Sequence, residues 1–255
     1  MKFLTAMLTT TILLATFSMQ ANGQAENERK TGEKKMKTDT IQTDGGELKI
    51  TFIGHATMML EYQGKIIHID PVGREGDYTK LPKADLVLIT HEHSDHFDPN
   101  TIKMLSKNDT VVVLTSACRE LLGQGRVMKN GDVLKVKDLR IEAVPAYNIV
   151  HKRPDGQPFH PKGRGNGYLL DFGKTRLYIA GDTENVPEMK LLKGVRIAFL
   201  PMNLPYTMTV EMVGDAARSF NPAILYPYHY GQTDPNDLVK LLRNSGIKVR
   251  IRDMR

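Results

Sequence analysis

The chain has 255 residues, 40% hydrophobic and 25% charged, and its 35 basic and 29 acidic side chains give a formal charge of +6. This is the composition of a globular protein with room for one large domain or two small ones. Nothing beyond the N-terminal segment is long and apolar enough to span a bilayer, and the charge excess is too modest for this size to imply nucleic acid as a partner.

Lys2, an apolar run from Phe3 to Phe17 and the small residues Ala21-Asn22-Gly23 read as a secretory signal peptide over residues 1–23, with a retained anchor as the alternative. This predicts an exported, periplasmic protein. No cysteine near the cleavage point offers a lipid attachment site. Cys118 is the only cysteine, so no disulfide forms within the chain, and it reads as a packed thiol at the start of a helix. Residues 24–45, rich in Glu and Lys, read as a disordered linker, which leaves 46–255 as the folded domain.

Strands are predicted at Leu48–Ile53, Met58–Tyr62 and Lys65–Ile69, the last two joined by a hairpin at Gln63-Gly64. A break rich in Gly, Pro and charge spans 72–83. The β-branched run Leu86–Thr90 reads as a buried strand. Asp98-Pro99 opens a helix, with Asp98 as cap and proline at the first position. A short strand follows at Val111–Leu114, then a β-pair at Gly131–Lys137 and Leu139–Val144. The segment 146–166 is a long loop. Tyr168–Phe172 and Arg176–Ala180 form a hairpin around Gly173. Strands at Ile197–Leu200 and Ala223–Tyr226 alternate with helices at Val210–Phe220 and after Asp234-Pro235, and Lys248–Ile251 closes as an edge strand. Two β-rich halves, each with helices late, suggest two packed sheets covered outside by helices.

The chemistry concentrates in His91-Glu92-His93-Ser94-Asp95-His96, at the end of a buried strand. Imidazole nitrogen and carboxylate oxygen suit zinc and similar divalent ions, and a strand end holds them rigidly. Two further strand ends offer ligands, Asp182 in Ile179-Ala180-Gly181-Asp182-Thr183 and His229 in Tyr226-Pro227-Tyr228-His229-Tyr230-Gly231. A carboxylate at Asp182 can bridge two cations.

This arrangement resembles the metallo-β-lactamase superfamily of hydrolases. Gly54-His55-Ala56-Thr57, Asp70-Pro71, Thr90 to His96, Gly181-Asp182-Thr183 and Tyr228-His229-Tyr230-Gly231 are similar to the branch holding the ascorbate-phosphate lactonases and N-acylphosphatidylethanolamine phospholipase D. The resemblance implies an α/β fold, an αββα sandwich of two mixed β-sheets flanked by helices, with a dinuclear site at one edge. It implies His91 and His93 on the first cation, Asp95, His96 and His229 on the second, and Asp182 bridging both. The family's further first-site histidine is expected near Tyr147-Asn148, where this chain has none. His160 is the first candidate to replace it, His151 the second, and the Asn148 amide oxygen a third. His55 is expected to support the ligands by a hydrogen bond and not to bind metal. The implied cofactors are two divalent ions, zinc first, with manganese or iron also compatible. Asp95 is the expected catalytic residue, accepting a hydrogen bond from the hydroxide between the ions and aiming it.

His151, Lys152, Arg153, Lys162 and Arg164 give the 149–166 loop a basic rim, which favours a small anionic substrate, a phosphodiester or lactone. Tyr147, Tyr206 and Met208 are candidate pocket residues. A β-lactam hydrolase and a non-catalytic metal- or ligand-binding protein on the same fold are the alternatives, the second because the usual first-site histidine is displaced. A nuclease fits less well with export and with the lack of an added nucleic-acid-binding domain.

Overall fold

The computed structural model describes residues 36–255. The signal-peptide reading of 1–23 and the first part of the 24–45 linker lie outside the described residues. The last part of that linker is not disordered. Lys37–Thr43 is a strand, β1, paired antiparallel with β2 (Gly46–Gly54) from Lys37 opposite Phe52 to Thr43 opposite Gly46. Its polar sequence hid it because only Asp39 and Ile41 turn inward, and the inward carboxylate has partners. Asp39 accepts hydrogen bonds from Arg252 (Nη2, 2.6 and 2.7 Å), Arg250 (3.2 Å) and Tyr226 (2.6 Å).

Two seven-stranded sheets form the domain, and each adds its strands in chain order. The first continues with β3 (Thr57–Tyr62), β4 (Lys65–Ile69), β5 (Leu86–Leu88), β6 (Val111–Leu114) and β7 (Arg126–Val127). The second holds β8 (Val133–Val136), β9 (Leu139–Ala146), β10 (Gly165–Phe172), β11 (Thr175–Ile179), β12 (Val195–Pro201), β13 (Ile224–Tyr228) and β14 (Lys248–Val249). In both, the first three pairings are antiparallel and the last three parallel. The halves therefore repeat one mixed topology.

Parallel strands need crossovers, and helices α1 (Pro99–Leu105), α2 (Ser116–Leu122), α3 (Val210–Phe220) and α4 (Pro235–Leu242) lie in those connections. Asp98 caps α1 as expected, accepting from the Asn100 and Thr101 amides. Side chains alternate between two cores because successive strand residues face opposite sides. Leu48, Ile50 and Phe52, with Leu86 and Leu88, enter the inter-sheet core, while Ile53, Val87 and Ile89 join Ile102, Leu105 and Cys118 beneath α1 and α2. Across the sheets Tyr62 meets Phe172 edge-on at 4.8 Å and Phe52 meets Tyr226 at 5.1 Å. Cys118 is fully buried and burial pushes its thiol up to about 12, so the packed-thiol reading stands. Among the described residues no helix is long and apolar enough to cross a membrane.

Candidate metal centre

The pairing directions put the C-terminal ends of β2, β4 and β5 on one edge of the first sheet. They put those of β9, β11, β12 and β13 on one edge of the second. These edges are stitched together by the His229 amide on the His55 carbonyl (3.1 Å) and the Asn166 amide on the Thr90 carbonyl (2.9 Å). The chain turns sharply to place side chains there. His55, Asp70 and His229 all have positive φ (51°, 42° and 47°), a conformation that costs a non-glycine residue energy and clusters at functional sites. At Gly181, φ is +67° and an added Cβ would stand 2.8 Å from the Asn166 carbonyl oxygen, so only glycine fits before Asp182.

All seven residues read as ligands converge. His91 Nε2 lies 3.1 Å from His93 Nδ1, and the His160 ring packs 5.1 and 4.9 Å from those two rings. Asp95 Oδ2 stands 3.4 Å from His229 Nε2 and 4.0 Å from His96 Nε2. Asp182 sits between the groups. Its Oδ2 is 3.2 Å from His160 Nε2, 3.8 Å from His91 Nε2 and 3.3 Å from His229 Nε2, while Oδ1 is 3.3 Å from His96 Nε2. Ligand atoms of His91, His93 and His160 all lie within 4.8 Å of one another, as do those of His91, His96 and Asp182.

The donor set fits divalent cations by a test internal to the structure. Buried His96 Nε2, His229 Nε2 and Asp182 Oδ1 have no hydrogen-bond partner, although they face one another. Such orphans are costly unless something positive lies between them. Burial pushes His91 and His93 below the ordinary histidine range, which keeps them neutral lone-pair donors. Burial opposes charge on His96 too, but Asp182 and Asp70 outweigh it and raise its proton affinity well above the usual value. The carboxylates thus demand positive charge at that nitrogen, which a proton or a metal ion supplies.

Of the three candidates for the missing histidine, His160 is the one grouped with His91 and His93. Asn148, standing where the family's ligand is expected, does not point into the centre. Its Oδ1 accepts from the His160 amide (2.9 Å) and from His160 Nδ1 (2.7 Å), which leaves Nε2 as the lone pair facing Asp182. The Asn148 amide nitrogen donates to Glu184 (3.1 Å) and to the Tyr206 carbonyl (2.9 Å). His151, the second candidate, turns away and donates to Glu184 through Nδ1 (2.7 Å). Glu184 is fully buried and also accepts the backbone amides of Ile149, Val150 and His151 at 2.6–2.7 Å.

Two supporting residues went unassigned in the sequence. Glu184 follows Asp182 by two positions with nothing to mark it. Asp70, quoted only in the Asp70-Pro71 motif, accepts from the Thr90 amide (2.8 Å), the Thr90 hydroxyl (2.6 Å) and His96 Nδ1 (2.8 Å). A carboxylate ending a buried strand beside the histidine strand was the available signal. His55 reaches Asp95 through Nε2 (3.2 Å), and its Nδ1 lies 2.8 Å from the Arg255 carbonyl oxygen. Its ring packs 3.8 Å from that of His229. Of the pocket candidates only Tyr206 borders the cleft over the centre. Tyr147 donates its hydroxyl to Glu188, and Met208 is fully buried.

Fold and centre together define a metal-dependent hydrolase. The chain belongs to the beta-lactamase superfamily, whose domain model matches residues 49–229. It is 28% identical over 214 residues to the UPF0173 metal-dependent hydrolase of Nanoarchaeum equitans, covering 79% of this chain and 95% of that one. Among solved structures it resembles a Parabacteroides distasonis protein assigned to the metal-dependent hydrolases (50% identity, TM-score 0.83, 86% of this chain and 100% of that one). It also resembles Igni18, a metallo hydrolase from Ignicoccus hospitalis (27% identity, TM-score 0.67, 81% and 95%).

Proposed function

We propose that this protein hydrolyses a small anionic ester, a phosphodiester or a lactone, at a centre of two divalent cations, with zinc as the first choice. His91, His93 and His160 would hold one ion, Asp95, His96 and His229 the other, and Asp182 both. The observation carrying this reading is the trio of buried, unpartnered atoms on His96, His229 and Asp182, with Asp182 carboxylate oxygens 3.3 Å from each imidazole Nε2. The grouping of His160 with His91 and His93 supports a catalytic reading over a purely ligand-binding one.

Divalent cations bound there supply Lewis acidity, lowering the pKa of water from about 15.7 to about 7 and polarising an ester oxygen. The protein supplies the rest. Asp182 is almost fully buried, so its role is to hold charge in place. Asp95 is 30% exposed at its side chain and Asp182 only 3%, which makes Asp95 the more open carboxylate of the centre. Burial opposes charge on Asp95, but the facing imidazoles of His229 and His55 outweigh it and keep the carboxyl ionised, so it is the group we assign to accept a hydrogen bond from entering water and orient it for attack. The apolar signal-like run Phe3–Phe17 supports an exported location as part of the same reading.

Elemental analysis of the purified mature protein should give two ions per chain, and the loaded protein should cleave bis(p-nitrophenyl) phosphate or simple lactones while leaving nitrocefin intact. A loaded protein inert toward phosphodiesters, lactones and thioesters overturns the proposal.

A further inference from the structure

Five basic side chains lie in the loop between β9 and β10, and the structure occupies or displaces four of them. Lys162 donates to Glu188 at 2.8 Å, Arg164 donates to Glu92, and His151 is held by Glu184. Lys152 pairs through its backbone with Pro158 and does not border the cleft. Arg153 does border it, together with His93, Asp95, His160, Asp182 and His229 of the centre and with Phe159 and Tyr206. Among the described residues no acidic side chain forms an ion pair with Arg153; its guanidinium donates only to the Phe159 carbonyl, at a long 3.4 Å.

The loop is built to hold Arg153 there. Arg153-Pro154-Asp155-Gly156 is a tight turn, closed by the Gly156 amide on the Arg153 carbonyl (2.9 Å), with proline second and glycine at φ +84° fourth. The Arg153 amide then bonds the Gln157 carbonyl (2.7 Å), which closes a short hairpin. That hairpin lays the guanidinium 5.2 Å from the centre of the Phe159 ring, and Phe159 meets Tyr206 edge-on at 5.1 Å. Apart from the one long bond to the Phe159 carbonyl, the guanidinium's N–H donors are available for an acceptor, and a planar fork suits the paired oxygens of a carboxylate or phosphate. The cleft volume, about 390 Å³, falls in the range of small-molecule sites. A narrower space lined by His91, Arg164 and Asn166 leaves only about 10 Å³ open, against about 390 Å³ in the cleft that Arg153 borders.

We propose that Arg153 recognises a second, non-reacting oxyanion on the substrate, a carboxylate or phosphate, with Phe159 and Tyr206 contacting the flat or apolar group that carries it. The idea rests on the hydrolase reading above, since the bond to be cleaved must lie over the cation centre.

Kinetics on the metal-loaded protein with matched probes test it: neutral p-nitrophenyl acetate against p-nitrophenyl hemisuccinate, and p-nitrophenyl hexanoate against its ω-phosphate analogue. Arg153→Gln should raise KM for the charged probes at least tenfold more than for the neutral ones, with kcat nearly unchanged and two ions retained. Arg153→Lys should recover part of the loss, because the charge remains without the fork. Whether the carboxylate or the phosphate probe suffers more identifies the natural oxyanion. Equal KM changes on charged and neutral probes, or none, overturn the proposal while leaving the hydrolase reading intact. If no probe turns over, the hydrolase reading fails first. Calorimetric binding of phenylacetate and phenyl phosphate then decides for Arg153, a loss of tenfold or more in Arg153→Gln supporting it and unchanged affinity refuting it.

Discussion

Asn148 Oδ1 bonds His160 twice, at the backbone amide and at Nδ1, and so fixes the proposed ligand twelve positions further along the chain. The residue in the expected ligand place thus orients its own replacement, and Glu184 anchors it in turn. Residues that orient a metal-bound histidine typically contribute about 10–100-fold to metal affinity. Asn148→Leu should therefore weaken the first ion by that order while the second stays bound. Glu184→Gln should loosen the same ion. His160→Ala should remove it, and His151→Ala should not. Titration with cobalt, read by absorption and by ion count, distinguishes these. Equal loss in His151→Ala and His160→Ala would refute the assignment.

Asp70 fixes the tautomer of His96. With Nδ1–H donating to Asp70, Nε2 presents its lone pair to the centre. Asp70→Asn offers an amide that can present N–H in place of an acceptor, and it weakens the bonds from the Thr90 amide and hydroxyl. The second ion should bind about 10–100-fold more weakly, and the fold should lose about 1–3 kcal/mol for each buried group left unpaired. Chemical denaturation of metal-free and metal-loaded protein separates the two effects. Unchanged ion affinity together with unchanged stability would remove Asp70 from the account.

Most of this architecture was legible in the chain. Strands such as Val111–Leu114 and Lys65–Ile69 declare themselves by apolar runs between turn residues, and six ligands sit at the ends of such runs. What stayed hidden depends on distant partners. Strand β1 reads as polar because Asp39 is inward and finds Arg252 only 213 residues later. His160 and His151 look alike in sequence, and only the fold shows that one meets Asn148 and the other Glu184. The basic loop read as a rim, yet which cations are neutralised was set by Glu188 and Glu92, and the loop alone could not show it.

Gly181 is a backbone requirement one residue before Asp182, the carboxylate proposed to bridge the ions. Gly181→Ala would place a side chain at φ +67°, which costs about 1–2 kcal/mol, and would push Cβ against the Asn166 carbonyl. That carbonyl belongs to the strand joined to Thr90, so relief must come from Asp182 itself. Stability should fall by about 2–4 kcal/mol in total, and ion binding should weaken at both positions together. Loss confined to one ion would mean that Asp182 does not bridge.

His68 sets an acid limit on the fold independently of the metal ligands. It is fully buried, donates through Nε2 to the Pro82 carbonyl (3.0 Å), and leaves Nδ1 without a partner. Burial lowers its pKa from 6.5 to about 4. A histidine depressed in the folded state favours unfolding as acid is added, because the unfolded chain takes up the proton first. Its effect is absent above pH 6.5, grows as pH falls from 6.5 to about 4, and levels off below that. With about 1.4 kcal/mol for each pKa unit, the loss approaches roughly 3 kcal/mol. His68→Gln, which can keep a donor toward Pro82, should flatten the stability profile between pH 6.5 and 4. Urea unfolding of metal-free protein at a series of pH values measures this slope; a slope identical in wild type and variant would show that His68 does not set it.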